Sequence, residues 1–474
     1  MTAELRDLAA DAYVYGCPLV RGLTMVEHLT HRGLGNLPPT PLNQFGHVHQ
    51  LADPAAKFPW LNNDTLCSAA QLDLSGGPLL LHVPDYRDAY YVLQFIDAWT
   101  NNFAYVGRRA TGTEESLWLI APPGWAGTAP EGVRVIDAPT AVVTVVGRSA
   151  CAGPRDMPRV TALQKALTLS PPRAGGAPPR SGLPQPDPDV PDPLGFFERL
   201  RIWMADFPPA APDLAYQDRF QPLGLLEEGP SPYANADPEL AEALEAGLAD
   251  GRARVEAASG QSAAQPDDPR PANSRPYGPQ VNDPQPYSGT SGAAGAWDMH
   301  LHLYDYNVDH LGPGTLDEDR WKISDRRAAR LTRAVAARTA LWGVHAYEAV
   351  YAHTSTDADG KQLTGSKSYT LRFDARPPAD AFWSVTMYDS PNHYLVPNPL
   401  GRYSVGDQTP GLRYAPDGSL TLVLQRDRPT DPVEAANWLP APAGDFQPMI
   451  RLYTPRAEVL DGTYRFPRIA ARRT

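Results

Sequence analysis

Cysteine is scarce in this chain, with three residues in 474 (Cys17, Cys67 and Cys151) and no paired spacing among them. They offer neither a disulfide framework nor a zinc knuckle. Positive charge is also short. Lys and Arg number 42 against 54 Asp and Glu, a net charge of −12, the wrong sign for a phosphate backbone or an anionic membrane surface. No apolar run approaches membrane-spanning length. The opening MTAELRDLAADAYVYG mixes charges into a helical pattern where a signal peptide would place a basic start and an apolar core. The expectation is a soluble cytoplasmic protein, without nucleic acid or membrane among its partners. Familiar catalytic signatures are missing too. There is no Gly-x-Ser-x-Gly elbow, Walker loop, early Gly-x-Gly-x-x-Gly or His-Glu-x-x-His. Covalent serine hydrolysis, nucleotide hydrolysis and nicotinamide-dependent redox chemistry are thereby set aside.

What the chain does have is short strand-like runs between turn signals. Leu79–Val83, Tyr90–Ile96 and Phe103–Val106 follow one another, and Leu117–Ile120, Val133–Ile136 and Ala141–Gly147 complete a sheet-on-sheet body. At strand spacing Tyr90, Val92, Gln94 and Ile96 share one face, and Tyr91, Leu93, Phe95 and Asp97 the other. Helical patterns flank these strands. Thr2 to about His31 is amphipathic with a break expected near Gly16–Pro18, and Asp156–Leu169 and Leu194–Met204 are shorter. Asp237 caps a helix to Ser259 with Pro238 in its first turn. A long helix is expected over Asp325–Tyr351, with an arginine face and with His345 and Glu348 one turn apart. Proline-rich composition over Ser170–Leu194 and Gly260–Gly292 reads as surface crossings.

One unit recurs. Asp88-Ala89-Tyr90-Tyr91 leads to Asp97 nine residues after Asp88, and Asp380-Ala381-Phe382-Trp383 leads to Asp389 at the same distance from Asp380. A proline-containing turn precedes each, and an asparagine follows (Asn101; Asn392). A duplication giving two sandwiches with related strand ends explains the pattern.

Polar residues gather behind these strands. Asn101, Arg108 and Arg109 follow Asp97, while Tyr388, His393, Arg402 and Arg451 belong to the second half, with Asn437-Trp438 on another strand. His393, Asp389 and Tyr388 suit acid–base chemistry, and Arg402 and Arg451 anion recognition. Each has a structural alternative, since Asp and Asn after a strand brace turns and arginines tie loop carbonyls. As a set they describe a ligand pocket. Asp298, His300 and His302 at alternating positions are the most metal-like group, and His47 and His49 a lesser pair. A half-exposed strand explains the first group as well. Cys67 has no neighbouring base and reads as a packed thiol.

Several of these words carry a resemblance. Asn62-x-Asp64-Thr65-Leu66 with Ser68, then LDLSGGP, HVPD, YYVLQ, Asp97 with Thr100-Asn101, and Gly107-Arg108 with Thr111-Gly112 resemble the bacterial family called domain of unknown function 1254. DADGKQLTGSKSYTLRF, PPADAFWSVTMYD, VPNPLGRYSVGD, APDGSLTLVLQ, NWLPAPAGDFQPMIRLYTP and DGTYRFPRI resemble its partner family 1214. The resemblance implies an α+β fold, mainly β, with two antiparallel β-sandwich or jelly-roll-like domains. Its expected parts are a helical segment over 1–34, a first sandwich over 35–169, a helical and proline-rich connection over 170–294, and a second sandwich over 295–474. Cys67 stands where the family usually has an aromatic residue, and Trp60-Leu61 where it has a basic residue and proline. A pocket near these positions is expected to differ from that of relatives.

The functional expectation is a small-molecule enzyme using acid–base chemistry (hydrolysis, elimination, isomerisation or cyclisation). Its pocket would lie where the two matched motifs meet, with Asp97, Asn101 and Arg108 from one half and Tyr388, His393, Asp389 and Arg402 from the other. His393 would carry the proton, and Trp438 would contact substrate. The alternative is a non-catalytic protein binding a carbohydrate or other small molecule, with Trp99, Trp383 and Trp438 as stacking platforms. No cofactor is expected, a divalent metal at Asp298, His300 and His302 being the option held open. The partner is a small-molecule substrate, and a homo-oligomer is left open.

Overall fold

Strands that alternate large apolar with smaller polar side chains are two-faced, and they stack into sheets by burying the apolar face. The computed structural model describes residues 2–172, 182–259 and 295–472. Its first half forms β1 (Phe45–His47), β2 (Thr65–Asp73), β3 (Leu79–Val83), β4 (Tyr91–Asp97), β5 (Asn102–Gly107), β6 (Ser116–Ala121), β7 (Arg134–Asp137), β8 (Val142–Ala150) and β9 (Thr168–Ser170). The second half forms β10 (Asp298–Met299), β11 (Ala349–His353), β12 (Tyr369–Phe373), β13 (Ala379–Asp389), β14 (Ser404–Gly406), β15 (Leu420–Gln425), β16 (Trp438–Pro440), β17 (Phe446–Pro455) and β18 (Ile469–Ala471).

The first nine strands make two sheets, β1-β2-β8-β4-β5 and β7-β6-β3-β9. The last nine make β10-β11-β17-β13-β14 and β16-β15-β12-β18. Adding nine to each strand number turns the first pair of orders into the second. Even the exceptions to antiparallel pairing correspond, since β6–β7 and β15–β16 are both parallel. The duplication thus extends over both sandwiches, and the chain is an α+β protein, mainly β.

Register agrees as well as order. Val92 lies opposite Gly107 and Arg148, and Ser384 opposite Gly406 and Arg451. Counting from these pairs sets Asp97 against Asp389 and Asp88 against Asp380, the correspondence visible in the sequence. A Cβ at Gly107 would sit 2.4 Å from the Tyr91 carbonyl oxygen, and one at Gly406 would sit 2.1 Å from that of Trp383. Only glycine fits such an approach. Each glycine N–H donates to a threonine hydroxyl, Thr111 at 3.0 Å and Thr409 at 2.9 Å.

Alternate residues settle which face goes where. Tyr91, Leu93 and Phe95 pack inside the first sandwich with Leu81, Trp118 and Val145. Trp383, Val385 and Met387 do the same in the second with Leu371, Leu422 and Ile450. Each such side chain contributes about 1.5–3 kcal/mol by leaving water. The other faces of the two five-stranded sheets meet. Tyr90, Val92, Tyr105 and Ala150 join the apolar cluster of the second half, and the Tyr90 ring lies edge-on to Phe382 at 5.6 Å.

Carboxylates at equivalent positions staple this contact. Asp64, just before β2, accepts from Ser384 Oγ (2.7 Å) and Tyr453 OH (3.3 Å). Glu348, just before β11, accepts from Tyr90 OH (3.0 Å) and Arg109 Nε (2.6 Å).

Helices pack around the sandwiches. Thr2–His31 is continuous through Pro18 rather than broken there. It is held by Gly195–Asp206, Pro238–Ala258 and Arg326–Thr339 through a core that includes Leu19, Phe197, Leu200 and Trp203. Asp237 and Asp325 cap their helices by accepting backbone N–H groups. The helix expected over Asp325–Tyr351 ends at Thr339. Trp342 takes a left-handed φ of 63°, and residues 349–353 join the five-stranded sheet instead, where backbone pairing with β17 overrides helical propensity. His345 and Glu348 are therefore not helix neighbours. The arginine face of this helix is answered by acids, Arg330 by Asp213 (2.7 Å) and Arg338 by Glu256 (2.8 Å). The proline-rich stretch 260–292 lies outside the described residues, as do residues 173–181 of the earlier crossing. No described helix is long and apolar enough to cross a membrane.

Candidate functional site

Between the facing five-stranded sheets lies a cavity of about 230 Å³. Arg148 of β8, Tyr351 and His353 of β11, and Arg451 of β17 project into it. Trp60 and Asn62, leading into β2, close one side. Asp298–His300 and residues 340–343 close the other.

Two guanidiniums dominate its electrostatics. Arg451 is 2% exposed. Its Nη1 donates to Thr386 Oγ1 (2.8 Å), and its Nη2 to Tyr388 OH (2.7 Å) and the Trp60 carbonyl (2.9 Å). All three acceptors are uncharged, and an arginine has five N–H bonds to place. Arg148 Nη1 donates to Gln94 Oε1 at 3.1 Å. Neither arginine has a carboxylate ion-pair partner among the described residues. Burial opposes the charge on each, yet neighbouring ionisable groups outweigh it, Tyr351 and Cys67 foremost at Arg148 and Tyr388 and Tyr453 at Arg451, so both stay above the ordinary guanidinium range. Asp64 contributes to this at Arg451 from outside the lining.

His353 behaves differently. Burial, reinforced by His300 and His393, pushes its pKa down to about 3. The Gln447 amide meets its Nδ1 at 2.7 Å, which places the ring proton of the neutral imidazole on Nε2. Trp60 stacks with two imidazoles, His393 at 4.2 Å and His353 at 5.4 Å. Trp60 (φ 58°), Trp342 (φ 63°) and His393 (φ 59°) all hold left-handed backbone. Each costs roughly 1–3 kcal/mol for a bulky residue, and such strain gathers at functional sites.

The residues singled out in the sequence are placed unevenly around this cavity. Tyr388 stands directly behind it, donating to the Leu61 carbonyl (2.6 Å) while accepting from Arg451. His393 lies behind Trp60, 1% exposed, with no hydrogen-bond partner at either ring nitrogen among the described residues. Burial lowers its pKa to about 4, so it is not the near-neutral proton carrier expected of a histidine in a pocket.

Asp97 and Asp389 brace turns. Asp97 accepts from Asn101 N (2.9 Å) and Nδ2 (2.8 Å), and Asp389 accepts from Tyr394 N (2.7 Å) at the equivalent hairpin. Burial raises the Asp97 pKa against the two bonds from Asn101. Arg108 donates to the Asp88 carbonyl and borders a separate surface cavity of about 580 Å³ with Arg87 and Arg155. Arg402 ties the carbonyls of Ala436 and Trp438 (3.0 Å each). The single cleft expected from Asp97, Asn101, Arg108, Asp389, Arg402 and Trp438 therefore does not form, because each side chain is committed to hydrogen bonds of its own, Asn101 to Asp97 and Trp438 to the Gln425 carbonyl among them.

Other expectations are corrected likewise. Trp99, Trp383 and Trp438 are core residues rather than an exposed row. Asp298 and His300 sit at the mouth of the cavity, but only 298–299 are strand, and His302 turns to Asp305 at 2.6 Å. Among the described residues no three His, Cys, Asp or Glu side chains converge as metal ligands. His47 bonds Ser68 Oγ at 2.8 Å. Burial raises the Cys67 pKa, with Arg148 opposing, so it remains a thiol.

Arg148, Tyr351 and His353 were missed by sequence reasoning. The repeat held the signal for the first. Extending the Asp97–Asp389 correspondence to the strands paired alongside sets Arg148 against Arg451, which did stand out. Trp60 was marked only as a departure from the family pattern.

Residues 42–171 match the family described as protein of unknown function DUF1254, and residues 348–457 match DUF1214. The matches fall one to each sandwich. No curated protein matches the chain. The crystal structure of the VPA0106 protein from Vibrio parahaemolyticus is similar with a TM-score of 0.73 at 23% identity, over 99% of this chain and 100% of that one. This likeness is one of fold. An uncharacterised Burkholderia cenocepacia protein matches with a TM-score of 0.40 at 12% identity, over 99% and 94% of the two chains.

Proposed function

We propose, for a chain that pairs the domain-of-unknown-function families 1254 and 1214, that the inter-sheet cavity takes a small organic anion and that acid–base chemistry is done on it there. The observation that carries this reading is the pair Arg148 and Arg451, two guanidiniums on one cavity with no carboxylate ion-paired to either among the described residues. Holding the buried Arg451 charge away from water costs several kcal/mol unless it is paired, and half-buried Arg148 bears a smaller share of that cost. A ligand carboxylate offsets that cost through short charge-assisted bonds. Tyr351 and His353 stand on the same wall, so an anchored ligand would meet two neutral donors, the Tyr351 phenol, which can give up its proton, and the His353 Nε2–H, which donates a hydrogen bond.

Calorimetry with a panel of small carboxylates tests the anchor. Binding to the wild type should weaken at least roughly tenfold in Arg148→Met and in Arg451→Met, the usual scale for a bond to a charged group. A panel in which nothing binds, or in which both variants bind as well as the wild type, sinks the reading. Binding without turnover is the second reading, favoured by the low pKa of His353, about 3, far from that of an efficient acid–base group near neutrality. NMR of a bound ligand incubated with the protein separates the two. Loss of ligand that stops in Tyr351→Phe supports chemistry, and an unchanged spectrum supports binding alone.

A further inference from the structure

We infer that the ligand carries two carboxylates, one for each half of the duplicated fold. This rests on the anion reading above and goes further by naming the substrate class. Arg148 and Arg451 occupy the same position in their repeats, on the strand paired beside β4 or β13 and opposite Val92 or Ser384. Each is tethered through one Nη to the residue two places further along that central strand, Gln94 at 3.1 Å or Thr386 at 2.8 Å. Because the two sheets face each other, equivalent residues reach the cavity from opposite walls.

Charge and room agree with two anionic ends. Arg451 makes three of its five N–H contacts with uncharged acceptors and Arg148 one, so each retains N–H bonds for an incoming oxygen. Two acids are near. Asp64 is occupied by the Ser384 and Tyr453 hydroxyls, and Asp298 sits exposed at the mouth. The volume of about 230 Å³ is that of seven or eight waters at roughly 30 Å³ each. It admits a compact diacid. The wall between the arginines includes the Tyr351 ring, 5.8 Å from the Arg451 guanidinium carbon, an apolar surface for the carbon chain.

Calorimetry with straight-chain diacids of four to six carbons, each beside the monoacid of equal carbon count, tests this. At one chain length the diacid should bind the wild type at least roughly tenfold more tightly than its monoacid, the scale of one added charge-assisted bond. Arg148→Met and Arg451→Met should each erase that difference while still binding the monoacid, and the double variant should bind neither. Should the Arg451 variant fail to fold, the Arg148 variant, at a half-buried position, decides alone. Equal affinities of diacid and monoacid in the wild type overturn the inference and leave the anion reading standing. A diacid preference that survives both single variants overturns it too. Binding of neither acid to the wild type removes the anion reading along with it.

Discussion

The two sandwiches share a strand plan and differ in the face each turns to the other. At equivalent positions the first half presents Cys67, Ala69, Gln94, Ile96 and Ala150, and the second presents Tyr351, His353, Thr386, Tyr388 and Tyr453. Except where Gln94 meets Thr386, small or plain side chains in the first half are answered by aromatic or titratable ones in the second. Arg148 and Arg451 alone are the same in both walls of the cavity. The comparison assigns the first half a supporting wall with one cation and the second half the groups that could handle a ligand's protons.

The staples of the interface break this symmetry most sharply. Glu348 holds Arg109 as an ion pair at 2.6 Å with its side chain 1% exposed, whereas among the described residues the equivalent Asp64 holds only hydroxyls. Removing one partner of a buried ion pair costs about 3–5 kcal/mol, and removing an acceptor of neutral donors costs about 1–3 kcal/mol. Urea unfolding should therefore rank Glu348→Ala well below Asp64→Ala. Equal losses would mean that Arg109 finds another partner.

Acid sensitivity is the next difference. His345 and His353 of the second half have pKa values of about 3, and His393 of about 4, all depressed first by burial. In the first half His47, also near 4, is the one described histidine so lowered. A lowered folded pKa means that the unfolded chain binds more protons, so this stability is complete above the ordinary value near 6.5 and is lost as pH falls toward the folded pKa. Each group contributes a slope of about 1.4 kcal/mol per pH unit within that window. His393→Phe, which keeps a ring against Trp60, should flatten the decline between pH 6.5 and 4.5 by one such slope. An unchanged decline in denaturation midpoints across that range would show that His393 titrates normally.

The smallest effects belong to the residues that repeat most plainly. Asp97→Ala and Asp389→Ala should each lose on the order of 1 kcal/mol, more at buried Asp97, with carboxylate affinity unchanged by calorimetry. A collapse of affinity in either would return these aspartates to the site.

That last contrast explains how far the sequence could be read. The two faces of Tyr90–Ile96, the caps Asp237 and Asp325, and the Asp88–Asp97 and Asp380–Asp389 correspondence were legible because they are local. Period, turn chemistry and spacing are short-range properties. The same locality conceals the site. Carboxylates that recur at strand ends recur because both halves close the same hairpin, and Asn62 of the matched motif likewise accepts from the Thr65 backbone at 2.9 Å. The cavity is non-local. Arg148, Tyr351 and Arg451 meet only after the two sheets pack, and nothing within a few residues of each announces the others. Histidine chemistry was misjudged at His393 for a related reason, since burial beneath Trp60 cannot be read from HYLVP.

The central claim, that Arg148 and Arg451 make the inter-sheet cavity an anion site, is open to direct observation. Crystals soaked in 4-bromobenzoate, whose aryl bromide does not alkylate thiols or imidazoles, and measured at the bromine absorption edge would locate the ligand without assuming its pose. The account predicts an anomalous peak inside the cavity, with the carboxylate on one of the two guanidiniums, and its disappearance in the Arg148→Met, Arg451→Met double variant. Bromine peaks confined to the outer surface around an unoccupied cavity would contradict it.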